Sequence, residues 1–485
     1  MTDKPSTTAE STTSPSTPTT PIDKLNALLT TNPSIEFLRF HWLDYSATVR
    51  TRLVSVRCAR ALAVASTPSA PNDSKSTTNS ASSTGTISVA SPMASAFLID
   101  GSFHEVHAGK KDHLVPDWDT LNVLSYAPGH AGVMCAIDEG ATGTEEGLGF
   151  DPRSLLVKAE CDAEKDGKVN FLVGVEIEFY LHVGSTPVRP VVDVTSYCST
   201  ASLRTKYGKV LEDAVRWTEA AGVPVWTAHS ELVDGLFEIN LEPLTPVKAA
   251  DAIVYVTEAI KSAAVAQGLR ATMHPKPFDK THGVGMHLHI SLQGEGREKS
   301  KDDGFLAGVL DSVPGICAIS MPGYDSYLRA DFAGGEWVSW DTENRMCSVR
   351  KIRDAYWEFR FVDATANPYL ALAAILGTGM KAWKAGRELK MKPVQGVPPA
   401  EEERRKELGV EKKAPGSLKE AVEALEGDGA VKEVLGEKVV ERFVGYKRHE
   451  ESVLAGAYAP GETEDGHGNI LNGGGTWICN GMISR

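Results

Sequence analysis

Four segments of the chain repeat one pattern, and it restricts the fold more than any other feature. Residues 174–181 read GVEIEFYL, so Glu176 and Glu178 alternate with Val175, Ile177 and Phe179. A strand sends successive side chains to opposite faces, which puts both carboxylates on one face and the apolar residues on the other. Two like charges side by side on an apolar strand repel unless a cation lies between them. His287 and His289 alternate in MHLHISL, Glu358 and Arg360 alternate in YWEFRFVD, and Glu231 and Glu238 lie in HSELVDGLFEINLEP. Each pair alone fits a solvated acidic face. Four strand segments, each presenting ligand-type groups on one face, fit a metal site better. Five carboxylates and a histidine suit Mg²⁺ or Mn²⁺, because hard oxygen donors dominate. Paired Cys ligands are missing, which argues against structural zinc.

Cations gather in the same half of the chain. Arg329, Arg345, Arg350 and Arg360 fall within a short span of a protein whose net charge is −14. Arginine is the preferred fork for carboxylate and phosphate. Divalent ions together with arginines point to phosphoryl transfer, where catalysis is positioning and charge stabilisation. Neither a Walker A motif nor G-x-G-x-x-G occurs, so a P-loop or Rossmann domain is not indicated. The acidic balance argues against a nucleic-acid partner held by a general basic field. No apolar run approaches the length of a membrane span, so no membrane association is expected. The first residues lack the apolar core of a signal peptide. Asp3 and Glu10, with no Arg before Arg39, argue against a transit peptide. Seven scattered cysteines without a C-x-x-C pair predict reduced thiols and a cytoplasmic location.

A length of 485 residues sets a soft prior of about three domains. Two low-complexity stretches lower that figure, since neither buries enough apolar surface to offset its ordering entropy. Residues 1–20 are a Ser/Thr/Pro-rich tail, and a Ser/Thr-rich insert at about 65–92 is expected to be a disordered loop. That insert interrupts a small β domain over residues 21–138, whose first two strands lie in 35–56 with a turn at 44–47. Further strands are expected at 96–100, 114–129 and 131–138, then a Gly-rich linker at 140–149. From residue 150 to 454, helices are expected at 153–164, 208–222, 246–267 and 368–383, with more helices after 418. Strands are expected at 171–181, 231–243, 286–292 and 356–363, and residues 455–485 form a Gly-rich tail.

Taken in order, DYSATVR, VPDWDT, VGVEIEFYL, HSELVDGLFEI, HPKPF, HGVGMHLHISL, DSYLRA, NRMCSVR and EFRFVDATANPYLALAA resemble the bacterial-type (type I) glutamine synthetase superfamily. The resemblance implies an α+β protein. An N-terminal β-grasp domain precedes a catalytic domain whose antiparallel sheet forms a half-barrel funnel with helices outside. It also implies a homo-oligomer of stacked rings with active sites between subunits. Glu178, Glu231 and Glu238 would hold one metal, and Glu176, His287 and Glu358 the second. Arg329 and Arg360 would grip the amino-acid substrate, and Arg345 and Arg350 the transferred phosphate. His289 and Ser291, with Arg350, would line the ATP side, and Asp44 matches an aspartate that a neighbouring subunit donates to the ammonium site. The implied cofactors are two Mg²⁺ or Mn²⁺ ions per site, with ATP as co-substrate.

The chain departs from the family pattern around the substrate pocket. The usual Asn-Gly before the metal histidine reads His282-Gly283, where the amino-acid substrate binds. The flap reads ADFAGGEW after Arg329, so Glu336 is either the family's flap carboxylate shifted by one residue, or that carboxylate is absent. Leu328 replaces Lys, and Ala47 replaces Gly after Asp44. The resemblance therefore implies an ATP-dependent ligase joining the γ-carboxylate of glutamate to ammonia. One alternative is a ligase for a polyamine or other organic amine, with Trp337 and Trp340 stacking on a bulky substrate. Another is a ring-forming structural or signalling homologue without turnover.

Overall fold

The structure, a computed structural model, describes residues 20–67, 85–90, 111–183, 189–191, 197–278, 282–332 and 335–458, with two short pieces at 463–464 and 470–471. Its N-terminal region is a five-stranded sheet. The strands are β1 (Phe37–Leu43), β2 (Val49–Ser55), β3 (Ile87–Ala90), β4 (Lys111–Val123) and β5 (His130–Asp138). Their order is β2-β1-β5-β4-β3, with β1 and β5 parallel and the other pairs antiparallel. Leu38, Phe40 and Trp42 alternate along β1 and pack with Val133 and Ile137 of β5 against Leu25, Ala59 and Leu62 of two helices. Those helices, Pro21–Thr31 and Val56–Ala65, are not evident from the strand-like pattern of the region. Thr20 starts the first by accepting a hydrogen bond from the Asp23 amide, with Pro21 at the first helical position.

Two expectations about this region need correction. The Ser/Thr-rich insert is not loose throughout, because β3 lies inside it and pairs with β4 from Ile87–Leu114 to Ala90–Lys111. The short alternation ISVA puts Val89 into the core, which is enough to hold an edge strand in a polar context. The supposed linker is also ordered, since residues 145–148 make a helical turn and Glu139 is ion-paired with Arg442. The strand expected at 96–100 and the tail at 1–19 lie outside the described residues.

The second sheet has nine strands and curls into a half-barrel. Its strands are β6 (Asn170–Val183), β7 (Arg189–Pro190), β8 (Val225–Ser230), β9 (Leu236–Leu244), β10 (Arg270–Thr272), β11 (Met286–Gln293), β12 (Trp340–Thr342), β13 (Val349–Arg353) and β14 (Tyr356–Phe359). The main path runs β12-β13-β14-β11-β6-β9-β8, and β7 and β10 pair with the far end of β6. One face is apolar: Val175, Ile177, Phe179, Phe237, Ile239 and Leu288 are buried in the main core. Long helices pack outside, at Pro152–Gly167, Lys206–Ala220, Pro246–Ala266, Asp302–Ser320 and Pro368–Lys384.

The helix Asp302–Ser320 is absent from the expectations above. Gly304, Gly308, Gly315 and Pro314 read as breakers, yet they sit inside it. The glycines permit close approach to the helix Pro368–Lys384: a Cβ on Gly308 would lie 2.5 Å from both Ala382 Cβ and the Thr378 carbonyl. Lys299–Ser320 is also the one described helix long and apolar enough to cross a membrane, and 83% of that window is buried inside the protein. The segment 231–243 is likewise not a single strand, because β8 ends at Ser230 and β9 begins at Leu236. The strand expected over 356–363 stops at Phe359, where the Arg360 amide leaves the ladder to bond the Ser348 carbonyl. The last helix runs from Glu437 to Tyr458, past the expected domain end, and Thr463–Glu464 pairs with Ile470–Leu471.

Candidate active site: a face of carboxylates and histidines

Strand register assembles the polar face. Glu176 on β6 lies opposite His287 on β11 and Asn240 on β9. Glu178 lies opposite Glu238, and Glu238 opposite His229 on β8. Glu358 on β14 lies opposite both His289 on β11 and Arg350 on β13. Because the side-chain period is two residues, each of these groups points to the side away from the apolar core.

Two clusters result. In the first, Glu176 Oε2 is 2.9 Å from His287 Nδ1 and Oε1 is 2.9 Å from His289 Nε2. Glu358 Oε1 lies 3.5 Å from His287 Nδ1. Ligand atoms of Glu176, His289 and Glu358 all fall within 4.8 Å of one another. His289, expected on the ATP side, thus joins this cluster beside His287, and its Nδ1 is 3.1 Å from the Tyr356 hydroxyl. In the second cluster, His229 Nε2 lies 3.0 Å from Glu231 Oε1 and 3.8 Å from Glu238 Oε1. His229 was missed by sequence reasoning, although the alternation His229-Ser230-Glu231 is the same signal that marks His287 and His289. Glu231 itself sits in the turn after β8. Glu178 is held by the Gly285 amide, 2.7 Å from its Oε2.

The electrostatics test whether this set fits a cation. Burial pushes the Glu238 carboxyl up to about 9, and the charges of Glu176, Glu178 and Glu231 add to the effect. Four carboxylates crowded against a buried face repel one another, and a divalent ion is the group that relieves them. Burial also opposes ionisation of Glu176, but hydrogen bonds from His287 and His289 outweigh it and hold the carboxyl low. Glu358 behaves likewise: burial raises it, and the neighbouring His287 and Arg360 bring it below the usual range. The residues present fit a divalent metal.

The arginines divide into two kinds. Arg350 faces the polar side: its Nη1 donates to Glu358 Oε2 at 2.7 Å and its Nε to Glu343 at 3.0 Å. Arg360 also bonds Glu358. Arg329, expected to grip substrate, is instead buried, and its Nη2 donates to the Val362 carbonyl at 2.6 Å. It is wedged against Gly283, where a Cβ would come within 2.4 Å of Arg329 Cβ, and its Nε is buried without a hydrogen-bond partner, 3.9 Å from Asp363. Arg345 lies exposed in the turn between β12 and β13. Ser291 follows His289 on the same face of β11 and accepts from Gln293 at 3.0 Å. The His282 carbonyl accepts from the Tyr180 hydroxyl at 3.1 Å.

Both carboxylates expected near the amine are engaged elsewhere in this chain. Asp44 is fully buried, and its Oδ1 accepts from the Ser46 and Thr48 amides at 2.9 and 3.0 Å. Its Oδ2 takes the Arg50 Nε at 2.9 Å. The residue therefore builds its own turn and presents no carboxylate outward. Glu336 is exposed and ion-paired with Lys413, so it stands apart from the cluster. The tryptophans are also occupied. Trp340 is buried and donates to the Met391 carbonyl at 3.0 Å, and the Arg405 guanidinium stacks 4.0 Å from the Trp337 ring.

A curled sheet that gathers carboxylates and histidines from five strands on one face is the framework of a glutamine-synthetase-type ligase. The family model described as glutamine synthetase, catalytic domain, matches residues 149–465. The chain belongs to the glutamine synthetase family. Glutamine synthetase of Methanococcus maripaludis is 30% identical over 379 residues, covering 72% of this chain and 82% of the relative. Glutamine synthetase of Pyrococcus woesei is 34% identical over 316 residues, covering 62% and 71%. The protein fluG of Emericella nidulans is 28% identical over 455 residues, covering 89% of this chain and 48% of fluG, so the chain spans about half of that protein. A solved structure described as "GmaS/ADP complex-Conformation 1" shares the fold, with a TM-score of 0.72, 23% identity, and coverage of 88% and 96%.

Proposed function

We propose that this chain is an ATP-dependent amide ligase that phosphorylates the γ-carboxylate of glutamate and then condenses it with an amine, ammonia being the default. The observation that carries the reading is the pair of clusters side by side on one sheet face, with Arg350 at their edge. Glu176, His289 and Glu358, with His287, would hold one Mg²⁺ or Mn²⁺, and His229, Glu231 and Glu238, with Glu178, a second. Such ions would neutralise the charge of the ATP phosphates.

The chain's own residues do the rest. Glu358 fixes the Arg350 fork, so that its remaining N–H groups meet the phosphoryl oxygens as charge builds there. A substrate carboxylate oxygen attacks the γ-phosphorus, and ADP leaves. The amine nitrogen then attacks the acyl carbon, inorganic phosphate leaves, and a carboxylate beside the amine takes the proton released. Incubation with ATP, Mg²⁺ or Mn²⁺, glutamate and ammonia should release phosphate and yield glutamine. No glutamine at high enzyme concentration rejects the ammonia version.

A second reading, an organic amine in place of ammonia, is favoured by one observation. The Asp44 carboxylate is buried in its own turn against Arg50 and Glu336 is ion-paired with Lys413, so neither is free to meet a small ammonium ion, in this chain's site or a neighbour's. Screening amines for amine-dependent ATP hydrolysis, with product mass, separates the two readings. Ammonia activity equal to or above every organic amine rejects the second. No amide with any amine leaves the structural or signalling homologue. Assembly as stacked rings belongs to the same proposal, and sedimentation of the full chain tests it.

A further inference from the structure

We infer that Tyr197 and Leu232 select the amine, and that the class they select is a primary alkylammonium ion with a short apolar chain. This rests on the ligase reading and names the nucleophile within it. The second cluster has an apolar rim. The Cys198 amide donates to the Ser230 carbonyl at 2.9 Å, which pins the turn at 197–198 to the end of β8, next to Glu231. That turn sets the Tyr197 ring against the His229 ring, edge to face, with centroids 5.1 Å apart and planes at 86°. His229 Nε2 in turn lies 3.0 Å from Glu231 Oε1. Leu232 donates its amide to the other oxygen of the same carboxylate, Glu231 Oε2, at 3.3 Å.

Tyr197 is 56% exposed and Leu232 62%. A single exposed apolar residue is ordinary. Two of them beside one carboxylate, in a site otherwise built from charge, fit a ligand that is both cationic and apolar. The first cluster has the opposite edge, because Arg350 and Arg360 bond Glu358 there and would repel an ammonium ion. With one divalent ion between them, Glu178, Glu231 and Glu238 leave a single negative charge over, which a monovalent ammonium balances. Bare ammonium gains that attraction and nothing from the rim. An alkylammonium gains two further contacts: its methylenes cover Leu232, and the Tyr197 ring attracts the cation with its face. A diamine would carry its second charge onto the same apolar rim and lose part of that gain.

Calorimetric titration of the full chain at pH 7, with Mg²⁺ and ADP present, compares isobutylammonium, ammonium and putrescine. Isobutylammonium should bind at least about tenfold more tightly than either of the others. Tyr197→Ala should lower its affinity by about tenfold, and Tyr197→Phe should keep it, because the ring and not the hydroxyl makes the contact. Leu232→Asn should weaken it roughly threefold, and its exposed position guards against misfolding of the first variant. Mass detection of the amide, with ATP, glutamate and the same amines, tests the ligase reading separately. Selective binding that depends on Tyr197 supports the inference even where no amide forms, an outcome that counts against the ligase reading alone. Equal binding of ammonium and isobutylammonium, tighter binding of putrescine, or a preference that survives both Tyr197→Ala and Leu232→Asn overturns the inference.

Discussion

Arg350 and Glu358 stand directly opposite each other on β13 and β14, with Arg350 Nη1 2.7 Å from Glu358 Oε2. The carboxylate also bonds Arg360 and lies 3.5 Å from His287, so one buried group connects the arginines to the histidines. Arg350→Gln should therefore lower kcat by roughly 10²- to 10³-fold, as loss of a transition-state donor does. The fold should persist, because Arg360 still compensates Glu358. Steady-state phosphate release measures the effect, and a kcat within threefold of the parent would contradict the role.

Glu238 carries the strain of its acidic neighbours. Burial keeps Glu238 protonated at pH 7 without metal, although it is ionised in the unfolded chain; Glu238→Gln removes that cost of protonation and should stabilise the metal-free protein at pH 7 by on the order of 1 kcal/mol. The same change removes a ligand, so added Mn²⁺ should raise the melting temperature less than in the parent. Melting curves in chelator and in Mn²⁺ decide this: an unchanged metal-induced shift would place the ion elsewhere.

Ala47 adopts a left-handed backbone, with φ of 59°. A Cβ is disfavoured there, while glycine is not. Ala47→Gly should stabilise the protein by about 0.5–1 kcal/mol, the relief exceeding the extra freedom gained by the unfolded chain. Urea unfolding reads the change, and a destabilised variant would show that the turn imposes no strain.

His41 provides a pH test away from the metal ligands. Burial, helped by the nearby Arg39 cation, brings its imidazole from 6.5 down to about 4. On acidification the unfolded chain takes up the proton first, so stability is intact above pH 6.5 and is lost as pH falls towards 4. The loss should reach about 2 kcal/mol by pH 5. His41→Leu should lack that increment. Urea unfolding at pH 7 and pH 5 compares the two, and parallel pH profiles would show that His41 is not the group responsible.

The strands that bear the ligands are legible in the sequence because charge and hydropathy alternate with the period of a strand. Glu176, Glu178, His287, His289 and Glu358 all come together from that signal. His229 carries the same signal but was hidden by Ser230, Glu231 and the turn that follows. The helix Asp302–Ser320 was not legible, since its glycines look like breakers until the partner helix that needs them is known. Arg329, Asp44 and Glu336 depend on partners beyond local pattern: the Val362 carbonyl, the Arg50 guanidinium and Lys413. A residue's type sets what it can bind, and only the fold sets which partner reaches it first.

The side chain of Asn367 works in two directions. Its Oδ1 accepts from the Tyr369 and Leu370 amides and starts the helix Pro368–Lys384, while its Nδ2 donates to the Asp44 carbonyl at 3.0 Å. A single amide therefore begins the central helix of one region and latches the first turn of the other. The border between the two is not a seam along which the gene can be cut. A fragment starting at residue 150 would lose the Asn367–Asp44 latch and expose Leu43, Tyr45 and Met134's share of the main core.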